Sequence, residues 1–303
     1  MVGLLTPEGL GQENRYHLAN RNPVRRVASD TVRSAQIFAA RCLRNGVGFR
    51  CWNAFGVLMY HRVTPMPAMG TPPTWNVTPR RFQQQLEGLL ERGFEPWRLA
   101  DMVAASRKGH RIPRNAFAVT FDDGYACLLE SALPVLQKLD VPATIFLVTG
   151  YLDDAVPLPF DDWPGKHGGL ESRRSLNRQE CKLLQASQLI DFGSHTHRHL
   201  DYRGRVAEFR KDLATSFEIL ADELGVKEKL FAFPYGIPKA GFCAPEFISI
   251  ARNAGAHCAI TAEERLIRNG AEPFGWGRML AAEQDHGGTL AAKLSGWYRA
   301  WSQ

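Results

Sequence analysis

The sequence predicts an α/β fold, a (β/α) barrel of about seven strands with a short helical extension at its N-terminus. Three observations predict it. Short apolar and β-branched runs recur from Gly56 onward and alternate with amphipathic segments of helical period. Polar residues collect at the C-terminal ends of those runs, where such a barrel assembles its site. A chain of 303 residues with 45% hydrophobic content can bury one core of that size plus an extension.

Residues 1–50 form a basic N-terminal extension, partly helical, and residues 51–303 the barrel domain. The extension holds eight arginines against Glu8, Glu13 and Asp30, so it carries most of the formal charge of +6 and leaves the barrel nearly neutral. That distribution argues against a nucleic-acid surface on the barrel. Ser29 is a fitting N-cap for a run in which Val32, Ala35, Ala39, Cys42 and Leu43 fall near helical spacing among arginines. Such a helix either lies on an anionic bilayer or packs on the barrel with its arginines in water. Met1 to Asn20 lacks an apolar run behind a basic start, and no stretch of 18 uncharged residues could span a bilayer. Six cysteines without a C-x-x-C pair fit free thiols. The expectation is a cytoplasmic protein with peripheral membrane contact through the extension.

Gly56 to His61 reads as the first strand, and Thr78-Pro79 caps a helix through Arg92 with Phe82, Leu86, Leu89 and Leu90 on one face. A helix over Leu99 to Ser106, a strand over Ala116 to Asp122, a helix over Leu128 to Leu139 and a strand over Ala143 to Val148 follow. Gly150 to Leu176 is too long for a routine connection and reads as a groove-lining loop or lid. Then come a helix over Arg178 to Gln188, the strand ending at Phe192, and a helix over Val206 to Leu224. Phe231 to Phe233 is a strand, Pro245 to Ala254 a helix, and His257 to Thr261 and Gly275 to Ala281 are the last strands.

The chemistry lies where strands end. Val119-Thr120-Phe121 runs into Asp122-Asp123-Gly124, and adjacent carboxylates resist joint ionisation unless a cation or a shared proton relieves them. An ordinary Asp-Gly turn is the plain alternative. About seventy residues on, His195, His197 and His199 fall within five residues. His195 and His199, four apart, can face one ion while His197 points elsewhere, and a catalytic zinc commonly keeps three protein ligands with one position open. A surface polar turn would show the same cluster.

Thr120 to Tyr125, His195 to His199 and Phe231 to Gly236 occur in the order and with the residues that resemble the polysaccharide deacetylase family, the NodB-homology domain of carbohydrate esterase family 4. The resemblance covers the chain from about Gly56 to its end. Met59-Tyr60-His61-Arg62-Val63 is similar to the opening strand of the biofilm exopolysaccharide branch. The resemblance implies a distorted, NodB-like barrel and a divalent metal on Asp123, His195 and His199: zinc foremost, with cobalt, nickel or iron(II) as other fits. It further implies that Asp122 is the general base and that the Tyr235 backbone N–H, in the loop begun by Pro234, helps hold the oxyanion. His61 is the first candidate for the acid that protonates the leaving nitrogen, and His286 the second.

Two departures stand out. The family commonly has an arginine three residues before that tyrosine to orient the base, where this chain has Ala232, and Arg278 is the proposed substitute. The usual Leu-x-His segment near the C-terminus is not recognisable. Among aromatic residues, Trp163, Tyr125, Trp75 and Trp276 are read near the rim, with Trp163, Tyr125 and the loop residue Pro234 as substrate contacts and Asp161 or Asp162 as partners for sugar hydroxyls. The reading is a metal-dependent N-deacetylase acting on N-acetylhexosamine units of a polysaccharide, oligosaccharide or lipid- or nucleotide-linked precursor. Two histidines and a carboxylate also suit a non-haem iron oxygenase, and an inactive carbohydrate-binding barrel is the third reading.

Overall fold

A computed structural model describes residues 48–67, 73–161, 163 and 169–297. The expected extension over residues 1–50 and its helix fall almost entirely outside the described residues, as does Asp162. The first strand, β1 (Ala54–Tyr60), is buried along its whole length, as are β5 (Ala116–Phe121) and β6 (Ala143–Leu147). Continuous apolar runs of this kind belong in a parallel sheet covered on both faces. Between β1 and β5 lie the short β2 (Arg62–Val63) and β3 (Asn76–Val77), helix α1 (Pro79–Leu90), β4 (Glu95–Pro96) and helix α2 (Leu99–Arg107). Thr78 caps α1 by accepting from the Arg81 amide at 3.3 Å, with Pro79 at the first helical position, as the sequence signals.

The segment expected as one helix over Leu128 to Leu139 opens with a wide π turn, Leu128–Ala132, before α3 (Leu133–Leu139). Pro134 has no N–H for the regular ladder, so the wider turn takes its place. Beyond β6, helix α4 (Arg178–Ala186) starts in a capping box of Asn177 and Glu180. Strand β7 (Ile190–Ser194) and helix α5 (Val206–Leu224) follow, the helix where the sequence placed it.

The remaining elements are helix α6 (Pro245–Asn253), strands β8 (Ala259–Ile260), β9 (Ile267–Arg268), β10 (Phe274–Trp276) and β11 (Met279–Leu280), and helix α7 (Gly287–Leu294). Strands β11, β1, β5, β6 and β7 are parallel neighbours in that order. Beyond β7 the hydrogen bonding continues. The Ser194 amide donates to Leu230 O and the Ile260 amide to Phe231 O, and β8 pairs with β10. This path around the core is consistent with the expected distorted barrel.

Three expectations are corrected. Phe231 to Phe233 forms single bridges to Ser194 and Ile260 rather than a strand of its own. The last strand breaks in two at Gly277-Arg278, because the Arg278 amide donates to Glu263 O at 2.9 Å while β11 returns to β1. Helix α7 was not foreseen, since it opens on two glycines, poor helix formers. Glycine serves there because α7 crosses α1 so closely that a Cβ on Gly88 would stand 2.7 Å from the Gly287 Cα.

Register aligns the strand ends. Tyr60 lies beside Phe121, Phe121 beside Ile145, and Leu147 beside Ser194. The residues that follow, His61, Asp122 and His195, therefore emerge on one edge.

A buried polar network anchors the C-terminal helix. Lys293 Nζ lies 2.7 Å from Asp285 Oδ2 with both side chains fully buried, and it also donates to Leu280 O at 2.7 Å. Gln85 of α1 donates to the Ala282 and Asp285 carbonyls and accepts from the Tyr60 hydroxyl. Replacing Lys293 by Met would leave Asp285 charged and buried without its cation, which should cost about 3–5 kcal/mol. Urea unfolding measures it; a loss near zero would mean the pair is not a stabilising contact.

Candidate active site

Asp122 and Asp123 leave β5 in a turn that needs a left-handed backbone. Asp123 has φ 70° and Gly124 φ 69°, and a Cβ on Gly124 would stand 2.5 Å from Leu147 Cδ2, so glycine is required. Thr196, His199 and Tyr235 also have positive φ, at 66°, 55° and 61°. Strained non-glycine backbone gathered around one point is typical of a functional site.

Asp123 Oδ1 lies 3.6 Å from His195 Nε2 and 3.6 Å from His199 Nε2. The three groups are buried and offer ligand atoms within 4.8 Å of one another. His195 Nδ1 lies 2.9 Å from the Ala232 carbonyl, a contact that assigns its proton to Nδ1 and leaves the Nε2 lone pair facing Asp123. Burial lowers the pKa of both imidazoles, that of His199 strongly, so both are neutral. A carboxylate with two neutral imidazoles, too far apart for hydrogen bonds, suits one cation held at about 2.0–2.2 Å from each donor. The residues fit a divalent metal. His197 turns away, its Nδ1 3.1 Å from Thr149 Oγ1.

Asp122 is buried and held by Arg278, whose Nη1 donates to Oδ1 at 2.6 Å and Nη2 to Oδ2 at 2.7 Å. Arg278 is fully buried and donates further to the Thr261 carbonyl and Thr120 Oγ1. Burial by itself would raise the Asp122 carboxyl, but Arg278 holds it well below the usual carboxylate range. Burial lowers the His61 imidazole to about 4, with Asp122 opposing and Arg278 acting the same way as burial. Its Nδ1 has no hydrogen-bond partner among the described residues. One face of the ring is covered by Trp75, at 5.5 Å between centroids, and Trp75 is 48% exposed. Tyr235 places its ring 5.0 Å from His199, directly after Pro234.

Residues 110–258 match the family model described as polysaccharide deacetylase. The chain belongs to the polysaccharide deacetylase family. Among curated relatives of this deacetylase is the poly-beta-1,6-N-acetyl-D-glucosamine N-deacetylase of Staphylococcus epidermidis, 23% identical over 217 residues, covering 69% of this chain and 68% of that one. The protein of the same name from Staphylococcus aureus MSSA476 is 21% identical over 218 residues, covering 69% of each chain. Among solved structures, IcaB from Ammonifex degensii superposes with a TM-score of 0.64 at 25% identity, covering 82% of this chain and 98% of that one. The Streptococcus pyogenes deacetylase PplD, at 19% identity, gives 0.65 over 80% of this chain and 98% of its own and supports the fold. The family match contains Asp122, Asp123, His195, His199 and Tyr235, whereas His61 and Arg278 lie outside it.

Several sequence expectations are corrected. Tyr125 and Trp163 are each 3% exposed and present no free face. Both flank the buried Arg62, which lies 4.1 Å over the Tyr125 ring and 5.7 Å over the Trp163 ring. Trp276 packs in the core against Phe55. Asp161 is no sugar ligand in waiting: it pairs with Arg62 on one oxygen and with Arg173 at 2.7 Å on the other. His286 stands at the N-terminal boundary of α7, its Nδ1 3.0 Å from Thr289 Oγ1, in a groove with Gln84, Glu87, Glu91 and Arg92 between α1 and α7 and outside the Asp–His–His cluster. Sequence reading missed Phe160, which stacks on His199 at 4.0 Å from the long loop, and Asp212, which holds the histidine turn. The signal for Asp212 was a carboxylate on the apolar face of α5, between Phe209 and Leu213.

The Arg62–Asp161–Arg173 cluster ties the long loop to β2. Replacing Asp161 by Ala strands a buried guanidinium and should cost about 3–5 kcal/mol. Thermal unfolding reads it; a midpoint equal to that of the wild type would show that the loop is held otherwise.

Proposed function

We propose that the chain is a metal-dependent N-deacetylase that hydrolyses the acetamide of N-acetylhexosamine units, with β-1,6-linked N-acetylglucosamine polymer as the substrate its relatives' names point to. The observation that carries this reading is the pair of opposed carboxylates. Asp123 faces two neutral imidazoles, and its neighbour Asp122 is fixed by a bidentate arginine. A divalent cation on Asp123, His195 and His199, zinc foremost, would polarise the acetyl carbonyl and acidify a water.

The chain's own groups do the rest. Asp122, ionised and oriented by Arg278, accepts the water's proton. The Tyr235 backbone, positioned by its left-handed turn, is the candidate donor to the oxyanion. The water oxygen bonds to the acetyl carbon, the C–N bond breaks, and acetate and the free amine leave. His61, buried and with Nδ1 lacking a partner among the described residues, is the candidate to carry the proton to the departing nitrogen. Trp75, exposed beside His61, takes over from Trp163 and Tyr125 as the aromatic surface for a sugar ring. The catalytic domain is taken as residues 51–303 and the basic segment before it as an extension. Among the described residues no helix is long and apolar enough to cross a membrane.

Acetate release from β-1,6-linked N-acetylglucosamine oligomers should vanish in chelator-stripped protein and return with zinc. Release that survives complete metal removal would overturn the metal-dependent reading. Replacing Asp122 by Asn keeps the shape beside the metal ligands but removes the proton acceptor, so kcat should fall by about 10² to 10⁴ with zinc still bound. An undiminished kcat would take the base role from Asp122.

A further inference from the structure

The segment from His195 to His199 must turn sharply after β7 for two imidazoles four residues apart to face one carboxylate. It does so with Thr196 and His199 in the left-handed region, a shape that neither residue favours on its own. Something outside the turn has to hold it, and helix α5 does.

Asp212 Oδ2 accepts from the His197 amide at 2.7 Å and from the Arg198 amide at 3.1 Å. Its Oδ1 accepts from Arg198 Nε at 2.7 Å. One helical turn along, Ser216 Oγ lies 2.8 Å from Ser194 Oγ, and Ser194 Oγ accepts from the Thr196 amide at 3.1 Å. Thr196 Oγ1 in turn accepts from the His199 amide at 3.0 Å. The amides of residues 196 to 199 are thus all engaged: two by Asp212 itself, that of Thr196 by the Ser194 hydroxyl that Ser216 contacts, and that of His199 by Thr196 Oγ1 within the turn. The Asp212 side chain is 1% exposed, on the face of α5 that also buries Phe209, Leu213 and Phe217. A carboxylate is a costly choice for a core-facing position unless its hydrogen bonds are needed.

We propose that Asp212 and Ser216 are positioning residues that hold the histidine turn in its metal-binding shape, so that α5 sets the metal affinity of a site it does not touch. The inference rests on the metal-dependent reading above. Backbone bonds from a second layer of groups orient metal ligands, and their loss typically weakens binding by about 10- to 100-fold.

The test is zinc binding to chelator-stripped protein by competition with a chromophoric chelator, with cobalt(II) absorption as a report of the ligand geometry. Asp212→Ala removes the acceptor of both amides, and its zinc affinity should fall by about 10- to 100-fold, with an altered cobalt spectrum. Ser216→Ala should weaken zinc in the same direction by a smaller factor, and it decides the matter if Asp212→Ala does not fold. Arg198→Ala removes only the half-exposed ion pair and should leave the affinity unchanged. Asp212→Ala and Ser216→Ala proteins that bind zinc as tightly as the wild type would overturn the inference, as would an equal loss in Arg198→Ala. A wild-type chain that binds no zinc would overturn the metal-dependent reading with it, whereas variants equal to a zinc-binding wild type sink the positioning role alone.

Discussion

Two carboxylates in succession at the end of a buried strand repel each other, and the site is built around keeping them apart. The left-handed turn at Asp123 sends the second carboxylate away from the first. Asp122 meets a fixed cation, Arg278, on both oxygens, while Asp123 faces two neutral imidazoles in an arrangement that could hold a metal ion. One member of the pair is thereby neutralised by the guanidinium and the other is set among potential ligands. Two adjacent groups of the same kind acquire different chemistry from their surroundings alone.

The parallel sheet supplies the means. Strand ends at a common level put residues from β1, β5 and β7 on one edge, but a regular last strand would leave Asp122 without its arginine. Breaking that strand at Gly277-Arg278 gives up ladder hydrogen bonds and lets a fully buried guanidinium reach from Thr261 to Thr120 and Asp122. Ala232, three residues before Tyr235, uses its carbonyl to fix the His195 tautomer.

Much of this was legible in residues alone. The strand ending in Asp122-Asp123, the His195/His199 spacing, the length of α5 and the capped start of α1 follow from local pattern, where side-chain period and turn chemistry dominate. Arg278 was reached through the resemblance, which implies an arginine where this chain has Ala232 and so called for another one near a strand end. What local pattern does not carry is burial of loop residues. Trp163, Tyr125 and Asp161 looked like rim groups because their neighbours are polar, yet Arg62 draws all three inward through cation–π contact and ion pairing. Helix α7 and the short strands β2, β3, β4 and β9 depend on partners distant in sequence, which no window of the sequence displays.

The protonation states of the resting site constrain how a proton can move through it. Asp122 is held ionised by Arg278, and His61 is kept neutral by burial, so at neutral pH both groups beside the cluster are acceptors. In the mechanism proposed above, neither group carries an acidic proton in advance for a leaving amine, so the proton delivered when the C–N bond breaks would be the one taken from water when the C–O bond forms. A carboxylate gripped on both oxygens is a weak base that returns a proton readily, and His61 Nδ1, without a hydrogen-bond partner among the described residues, is the group proposed to receive it.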